Sequence, residues 1–169
     1  PTLFRSVQVI GAFIEHYLLE KSRCVSQSDK ERNYHVFYRI CKGSPASMQK
    51  ALNLNPDLTT FRYLKSGVTT EVDGLDDVKD FAVMEKSMTD CGMEPKEKSD
   101  AFRLSAATLH IGKLVIVESG DGCTIDSASK TKLEGLAAMT GLSADDINKA
   151  IGTKTISIAG SETSKGLTT

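Results

Sequence analysis

Residues 17–38 read Y-L-L-E-K-S-R-C-V-S-Q-S-D-K-E-R-N-Y-H-V-F-Y, and this stretch decides how the rest of the chain is interpreted. Its second half opens a helical pattern with one aromatic-rich face, made by Tyr34, Phe37, Tyr38 and Cys41. Asp29 is of the residue type that caps helix starts, and Gly43 is of the type that follows helix ends. The sequence therefore predicts a helix that begins after Asp29 and stops at Gly43.

The residues before this stretch predict a buried strand. Val7 to Tyr17 read V-Q-V-I-G-A-F-I-E-H-Y, and between Val9 and Ile14 apolar residues occupy both faces of a strand. A strand that is apolar on both faces is buried on both sides. A short buried helix is the alternative, and the β-branched residues and Gly11 count against it.

Downstream of Gly43 the pattern is mainly helical. Ser44 and Pro45 are suited to the N-cap and first position of a short helix, and Phe61 to Asp76 predicts a loop with at most a short extended piece around Tyr63. Four further helices follow from periodic apolar residues and their Gly, Pro or Ser boundaries: Phe81–Cys91, Pro95 to Gly112, Ser129 to Gly141 and Ser143 to Gly152.

Two small hairpins complete the predicted elements. Leu114 to Val117 and Cys123 to Ile125 flank the turn E-S-G-D-G. The chain closes with T-K-T-I-S-I, a turn-prone A-G-S, a charged tip and G-L-T-T, which predict a second hairpin over 153–169. The fold class predicted is thus α+β and predominantly α-helical, with one long strand at 7–17, a helical region over 29–152 and two hairpins.

Composition limits the classes of function. The chain has 169 residues, 40% of them hydrophobic, which suits one globular unit. Its 21 Lys and Arg nearly balance 22 Asp and Glu, so no broad positive field exists for nucleic acid or an anionic membrane. No apolar run approaches the roughly 20 residues of a membrane span. The four cysteines form no C-x-x-C pair, which favours a reducing, cytosolic setting over a disulfide scaffold or a zinc site.

Motifs for catalysis, nucleotides and metals are not recognisable. A phosphate-binding loop requires G-x-x-x-x-G-K-[ST], and Gly160 to Gly166 has similar letters in the wrong order. The histidines are scattered, without the ligand spacing of a metal site. Acidic residues cluster at Asp73, Asp76, Asp77 and Asp80 without calcium-loop spacing, and Asp76 and Asp77 are interpreted as first-turn acids that favour a helix dipole. We expect no catalytic, cofactor-binding or metal-binding residue in this chain.

Three motifs resemble those of a known protein family. Y-L-L-E-K-S-R at Tyr17–Arg23 followed by E-R-N-Y-H-V-F-Y at Glu31–Tyr38 is similar to the stretch of the myosin motor head after switch I, where a central-sheet strand leads into a helix. F-R-L-S-A-A-T-L-H-I-G-K-L at Phe102–Leu114 resembles the family's helix that ends in A-x-L-H-[LI]-G-N, with departures at Thr108 and Lys113. D-G-L-D-D-V-K-D-F at Asp73–Phe81 and the later I-A-G turn look most similar to the short apicomplexan myosins of class fourteen.

This resemblance implies a place within the head. Residues 1–169 would be a single partial domain of the upper fifty-kilodalton subdomain, with 7–17 as a transducer-sheet strand and 29–152 as its helical part. The start at Pro1 without Met is compatible with a fragment. The family's P-loop and switch I would precede the chain and switch II would follow it, so no nucleotide-contacting residue carries over. The Mg-ATP of the parent motor would bind elsewhere, and the segment alone would have no catalytic residue.

The closing hairpin 153–169 resembles the cardiomyopathy loop, which touches actin. The residues that the resemblance implies for this contact are Lys154, Ile156, Ile158, Glu162 and Lys165. Lys154, Glu162 and Lys165 are expected on or near the hairpin tip. The partners implied are the actin filament, the remainder of the head and light chains, without nucleic acid or direct membrane insertion, in the cytoplasmic actin cytoskeleton. The alternative is a free-standing helical protein-interaction module.

Overall fold

A computed structural model describes residues 13, 15, 17–65, 70–120, 122–158 and 161–167, and for 154–158 and 161–165 it describes the backbone. The first part of the chain is helical: α1 (Ser22–Val25), α2 (His35–Lys42), α3 (Ala46–Ala51), α4 (Arg62–Lys65), α5 (Asp77–Asp90) and α6 (Pro95–Ile111). The second part mixes strands and helices: β1 (Ile116–Ser119), β2 (Gly122–Ile125), α7 (Lys130–Thr140), α8 (Ala144–Gly152), β3 (Thr153–Ile158) and β4 (Ser161–Gly166). Short 3-10 turns occupy Leu58–Thr60 and Ser127–Ser129.

The described strands form two antiparallel hairpins, β1–β2 and β3–β4. Together with the helices they confirm the predicted α+β, mainly helical fold. Most of the predicted strand Val7–Tyr17 lies outside the described residues, so it stays a prediction. Among the described residues, no helix is both long and apolar enough to cross a membrane.

The larger of two hydrophobic cores joins α2, α5 and α6. Phe81 of α5 and Phe102 of α6 bring their rings to a centroid distance of 5.4 Å, and Ile40, Cys41, Phe61, Ala106 and Leu109 are completely buried around them. The apolar stripe of α6 is therefore confirmed. On α5 the predicted stripe is buried at Phe81 and becomes exposed by Cys91.

The smaller core joins α7 and α8 to the end of α6. It contains Ala107, Leu114, Leu136 and Ile147, and Met139 packs against both cores. The two cores are thus continuous through α7, and the elements that carry the closing hairpin are attached to the main helical body.

Helix boundaries follow local chemistry where a cap or a glycine is present. The Asp76 carboxylate accepts from the backbone N–H groups of Val78 and Lys79, which opens α5. Ser143 caps α8 by accepting from the N–H of Asp146 at 3.0 Å, and Gly141 ends α7 with a left-handed φ of 77°. These boundaries are close to those predicted.

Two predicted caps are wrong. The helix of the E-R-N-Y-H motif begins at His35, with Tyr34 before it, and Asp29 does not cap it. The hydroxyl of Ser44 donates to the carbonyl of Ile40 at 2.6 Å, so it closes α2 instead of capping α3, which starts at Ala46. The hydroxyl of Ser44 is thus used by the end of α2 and does not cap the start of α3.

The segment around Tyr63 is also different from the prediction, because it forms α4 rather than an extended piece. Asp57 opens the preceding 3-10 turn by accepting from the N–H of Thr59 at 3.0 Å. Phe61 and Leu64 are then buried in the main core, at 0% and 1% exposed. Burial of two apolar residues three positions apart stabilises a helical turn there, and four residues are too few for a sequence pattern to reveal it.

The hydrogen bonds of Asn33 explain why α2 begins at His35 rather than directly after Asp29. The Asn33 side-chain amide donates to the carbonyls of Cys24 at 3.0 Å and Tyr63 at 2.9 Å, and its Oδ1 accepts from the N–H of Tyr34 at 2.7 Å. The backbone N–H of Asn33 donates to the Tyr38 hydroxyl at 3.1 Å. Since Asn33 is 1% exposed, this buried amide joins α1, α2 and α4 at one point.

Arg32 and Asp77 form a buried ion pair between the same motif and α5. Arg32 Nη2 donates to Asp77 Oδ2 at 2.7 Å, and the two side chains are 4% and 7% exposed. The guanidinium also lies 3.8 Å from the centre of the Tyr38 ring. Asp77 is therefore not merely an acid that favours the helix dipole, which corrects the sequence interpretation; Asp76 is the cap and Asp77 is a tertiary contact.

The buried thiol of Cys41 gives a first testable prediction. Burial raises the pKa of Cys41 to about 12, although the Lys113 ammonium opposes the shift. At pH 8 the reactive thiolate is then roughly two-thousandfold scarcer than for a thiol with an ordinary pKa near 8.5. We expect iodoacetamide to alkylate the exposed Cys91 quickly and Cys41 very slowly in the native protein, as measured by mass spectrometry. Equal rates in urea are the control, and equal rates in the native protein would contradict the burial of Cys41.

Candidate functional site

The closing hairpin β3–β4 contains every residue proposed for a partner contact. Its register pairs Lys154 with Lys165, Ile156 with Thr163, Ser157 with Glu162 and Ile158 with Ser161. Lys154 and Lys165 thus lie beside Thr153 and Gly166 at the base of the hairpin, which corrects their expected place at the tip. The return strand starts at Ser161, so the residues expected as a charged tip are paired strand residues.

The register divides the predicted contact residues between the two faces of the ribbon. Residues directly opposite one another share a face, and alternate positions along a strand belong to opposite faces. Positions 154, 156 and 158 therefore share a face with position 165. Position 162 belongs to the other face. A partner with one flat surface could therefore contact positions 154, 156, 158 and 165, but not position 162.

The base of the hairpin is fixed to the rest of the fold by close backbone packing. α8 runs directly into β3, and the N–H of Leu167 donates to the carbonyl of Gly152 at 2.9 Å. A Cβ at Gly152 would stand 2.4 Å from the carbonyl oxygen of Cys123, and one at Gly122 would stand 3.3 Å from the Cα of Gly166. Glycine is thus required at position 152 because the hairpin base and β2 are in contact there.

Asn148 holds β2 against α8. Its Oδ1 accepts from the N–H of Ile125 at 2.9 Å and from the Thr124 hydroxyl at 3.1 Å. The thiol of Cys123 lies 3.8 Å from the carbonyl of Ile151 on the same helix. These contacts make the two hairpins and α8 one unit. Asn148 could not be identified from the sequence, because a polar residue within a helix carries no periodic signal.

A shallow apolar hollow of about 470 Å³ lies at the junction of the two hairpins. Val115, Ile116 and Leu167 on its wall are 49%, 43% and 38% exposed. The remaining lining residues are Arg62, Leu114, Cys123 and Ile151. This hollow could not be predicted from the sequence either, since its lining comes from separate parts of the chain.

Within the described ranges, no group of three or more His, Cys, Asp or Glu side chains could hold a metal ion. Of the two described histidines, His35 is exposed and His110 is buried, and the His110 ring donates from Nε2 to the carbonyl of Leu52 at 2.9 Å. Burial lowers the pKa of His110, and the bond to Leu52 opposes this. Its ring meets Phe61 edge to face with centroids 5.8 Å apart, so it is a core residue.

Comparison with known proteins places these features in a family. The family model for the myosin head (motor domain) matches residues 3–169. The chain is 36% identical to unconventional myosin-VI of Bos taurus over 86% of its own length, and 33% identical to myosin-2 of Saccharomyces cerevisiae over 90%. It is 40% identical to the myosin IC heavy chain of Dictyostelium discoideum over 70%. The chain spans 10–13% of the length of these relatives.

Proposed function

Since the chain belongs to the myosin head (motor domain) family, we propose that it works as part of an ATP-driven motor that moves on actin filaments. The observation that carries this proposal is the family match over residues 3–169, which includes nearly every element of the fold. A free-standing helical interaction module is not favoured, because such a module would not be expected to match the motor-head family over nearly all of its own residues.

Within that motor we propose the role of the upper fifty-kilodalton subdomain. Residues 29–152 would form its helical body, and the strand at 7–17 would join the force-transmitting sheet. Mg-ATP would bind to other parts of the head, and light chains would bind to the parent molecule. The setting would be the cytoplasmic actin cytoskeleton. The continuous core through α7 supports this role, since a rigid body can pass a displacement from one end to the other.

We propose further that the hairpin β3–β4 contacts actin. Its fixed base supports this proposal, because a partner that pushes on the hairpin would push directly on β2 and α8. Lys154 and Lys165 occupy directly opposed positions on the two strands, so this pair of positions carries two basic residues. An acidic partner surface would gain from this pair, chiefly in encounter rate and in sensitivity to salt.

The test is a charge reversal in the full-length motor. The double variant Lys154→Glu/Lys165→Glu should raise the actin concentration for half-maximal ATPase, by less than roughly thirtyfold if each charge contributes at most about 1 kcal/mol, the scale of a surface ion pair. Basal ATPase should not change. Lys130→Glu reverses an exposed charge outside the hairpin and is the matched control. Unchanged actin affinity at low salt, where charges are least screened, would exclude the hairpin as an electrostatic contact.

A further inference from the structure

A cleft of about 530 Å³ lies between the end of α3, the second half of α6 and one face of α7. It is separate from the two hairpins, and its volume is in the range of small-molecule binding sites. The proposed motor function does not use it. Its chemistry divides into an apolar floor and a basic rim.

The floor of the cleft is apolar and open because α7 presents small residues there. Leu136 at 2% exposed and the partly buried Met139 line it. Gly135 and Ala138 line the same face, and a Cβ at Gly135 would meet no atom within 4 Å. Leu52 and Ala51 close the opposite side. The floor therefore suits a hydrocarbon body, not a hydrated ion.

The rim carries Lys113 and Lys132 side by side. Lys113 Nζ lies 4.0 Å from the centre of the Phe61 ring, which holds the ammonium at the edge of the main core. Lys132 Nζ donates to the carbonyl of Lys113 at 3.3 Å. Burial lowers the pKa of Lys113; the Cys41 thiol opposes the shift and the charge of Lys132 adds to it. The two lysines thus repel one another at the mouth of the cleft.

Carboxylates do not line the described cleft, and the described residues place neither lysine in an ion pair. Arg103, the third cation of the lining, donates to Asp100 at 2.7 Å, so its charge is already compensated. His110 donates to the carbonyl of Leu52, and its ring offers no negative charge to the two lysines. An anion at Lys113 and Lys132 would remove their mutual repulsion.

We propose that this cleft binds an anionic amphiphile, whose apolar chain lies along α7 and whose acidic head group lies between Lys113 and Lys132. The volume of about 530 Å³, the apolar floor and the single pair of lysines favour a medium-chain carboxylate over a multiply charged polyanion. The proposal is independent of the actin contact, because the cleft shares no residue with the hairpin β3–β4.

The test uses decanoate as the probe and the full-length protein. Equilibrium dialysis should show saturable binding of one decanoate per chain at this cleft. Brief acetylation with acetic anhydride, read by mass spectrometry, should show that decanoate protects Lys113 and Lys132 but not Lys130, which lies on α7 outside the lining. Equal reactivity of Lys113 and Lys132 with and without decanoate would overturn the proposal.

Variants and related ligands test the contribution of the lysine charge to binding separately from that of the apolar floor. Lys132→Glu alters an exposed residue and should weaken decanoate binding at least tenfold, whereas Lys130→Glu should leave it unchanged. Decanol, which lacks the anion, should bind at least tenfold more weakly than decanoate, and acetate, which lacks the chain, should not protect the lysines. Equal affinity for decanol, or an equal loss in the two lysine variants, would show that the rim does not recognise an anion.

Discussion

Replacing Asp77 by alanine is expected to destabilise the contact between α2 and α5 by about 3–5 kcal/mol, the usual cost of breaking a buried ion pair. The Arg32 guanidinium would remain buried against Tyr38, and its Nε already has no partner among the described residues. Lys42 lies 3.8 Å from the same carboxylate and would lose that attraction too. Hydrogen exchange of the full-length protein should show amides of α2 and α5 exchanging roughly a hundredfold to a few thousandfold faster.

Asp80 provides the matched control on the same helix. It pairs with Arg39 at 3.3 Å, and the two side chains are 31% and 25% exposed. Asp80→Ala should therefore cost at most about 1 kcal/mol. The double variant Arg32→Met/Asp77→Leu should recover most of the lost protection, because an apolar pair needs no charge compensation. A cost for Asp77→Ala no larger than that for Asp80→Ala would show that the ion pair does not hold these helices together.

The elements that the sequence predicts well are those with local boundaries. α6 begins at Pro95, where the Glu97 carboxylate accepts from the backbone N–H of Glu94 at 2.7 Å, and its stripe continues to Leu109. α7 and α8 are separated by Gly141 and Ser143, whose conformation and side chain set the boundary without help from distant residues. Because these boundaries depend on residues that are adjacent in the sequence, such elements are predictable from one sequence.

The start of α2 could not be predicted in this way, because it depends on contacts distant in sequence. Asn33 reaches the carbonyl of Tyr63, and Arg32 reaches Asp77. Asp29 has the right chemistry for a cap, but these two buried residues require an irregular backbone before His35. The resemblance to myosin heads identified the E-R-N-Y-H motif, whereas its physical role appears only once α4 and α5 are in place.

The candidate hairpin was predicted as an element, but its register was not. A turn at A-G-S is compatible with several strand lengths, and the letters E-T-S-K look like a polar tip. The fixed base at Gly152 and Leu167 sets the pairing, which draws Lys154 and Lys165 away from the tip. The contact of the hairpin with actin stays a prediction, as does the assignment to class fourteen.

The second large effect is expected at Gly43, where α2 ends against α5. A Cβ there would stand 2.5 Å from the Cβ of Phe81 and 2.7 Å from the carbonyl oxygen of Asp77. The φ of −104° suits any residue, so the requirement for glycine is one of space and not of backbone conformation. Gly43→Ala must push α5 away from α2, and such overpacking costs about 1–3 kcal/mol or more. Urea unfolding monitored by circular dichroism should show this loss as a lower midpoint with an unchanged slope.

Gly135→Ala is the matched control, and its expected effect on stability has the opposite sign. Gly135 lies inside α7, and an added Cβ would meet no atom within 4 Å. Gly135→Ala should therefore stabilise the protein by up to about 1 kcal/mol, the helix-propensity difference between the two residues. The two substitutions make the same chemical change, so a difference in sign isolates the close approach of α2 to α5. If Gly43→Ala were neutral or stabilising, the helices could not be as close as the structure places them, and the buried position of Asp77 beside Gly43 would be in doubt as well.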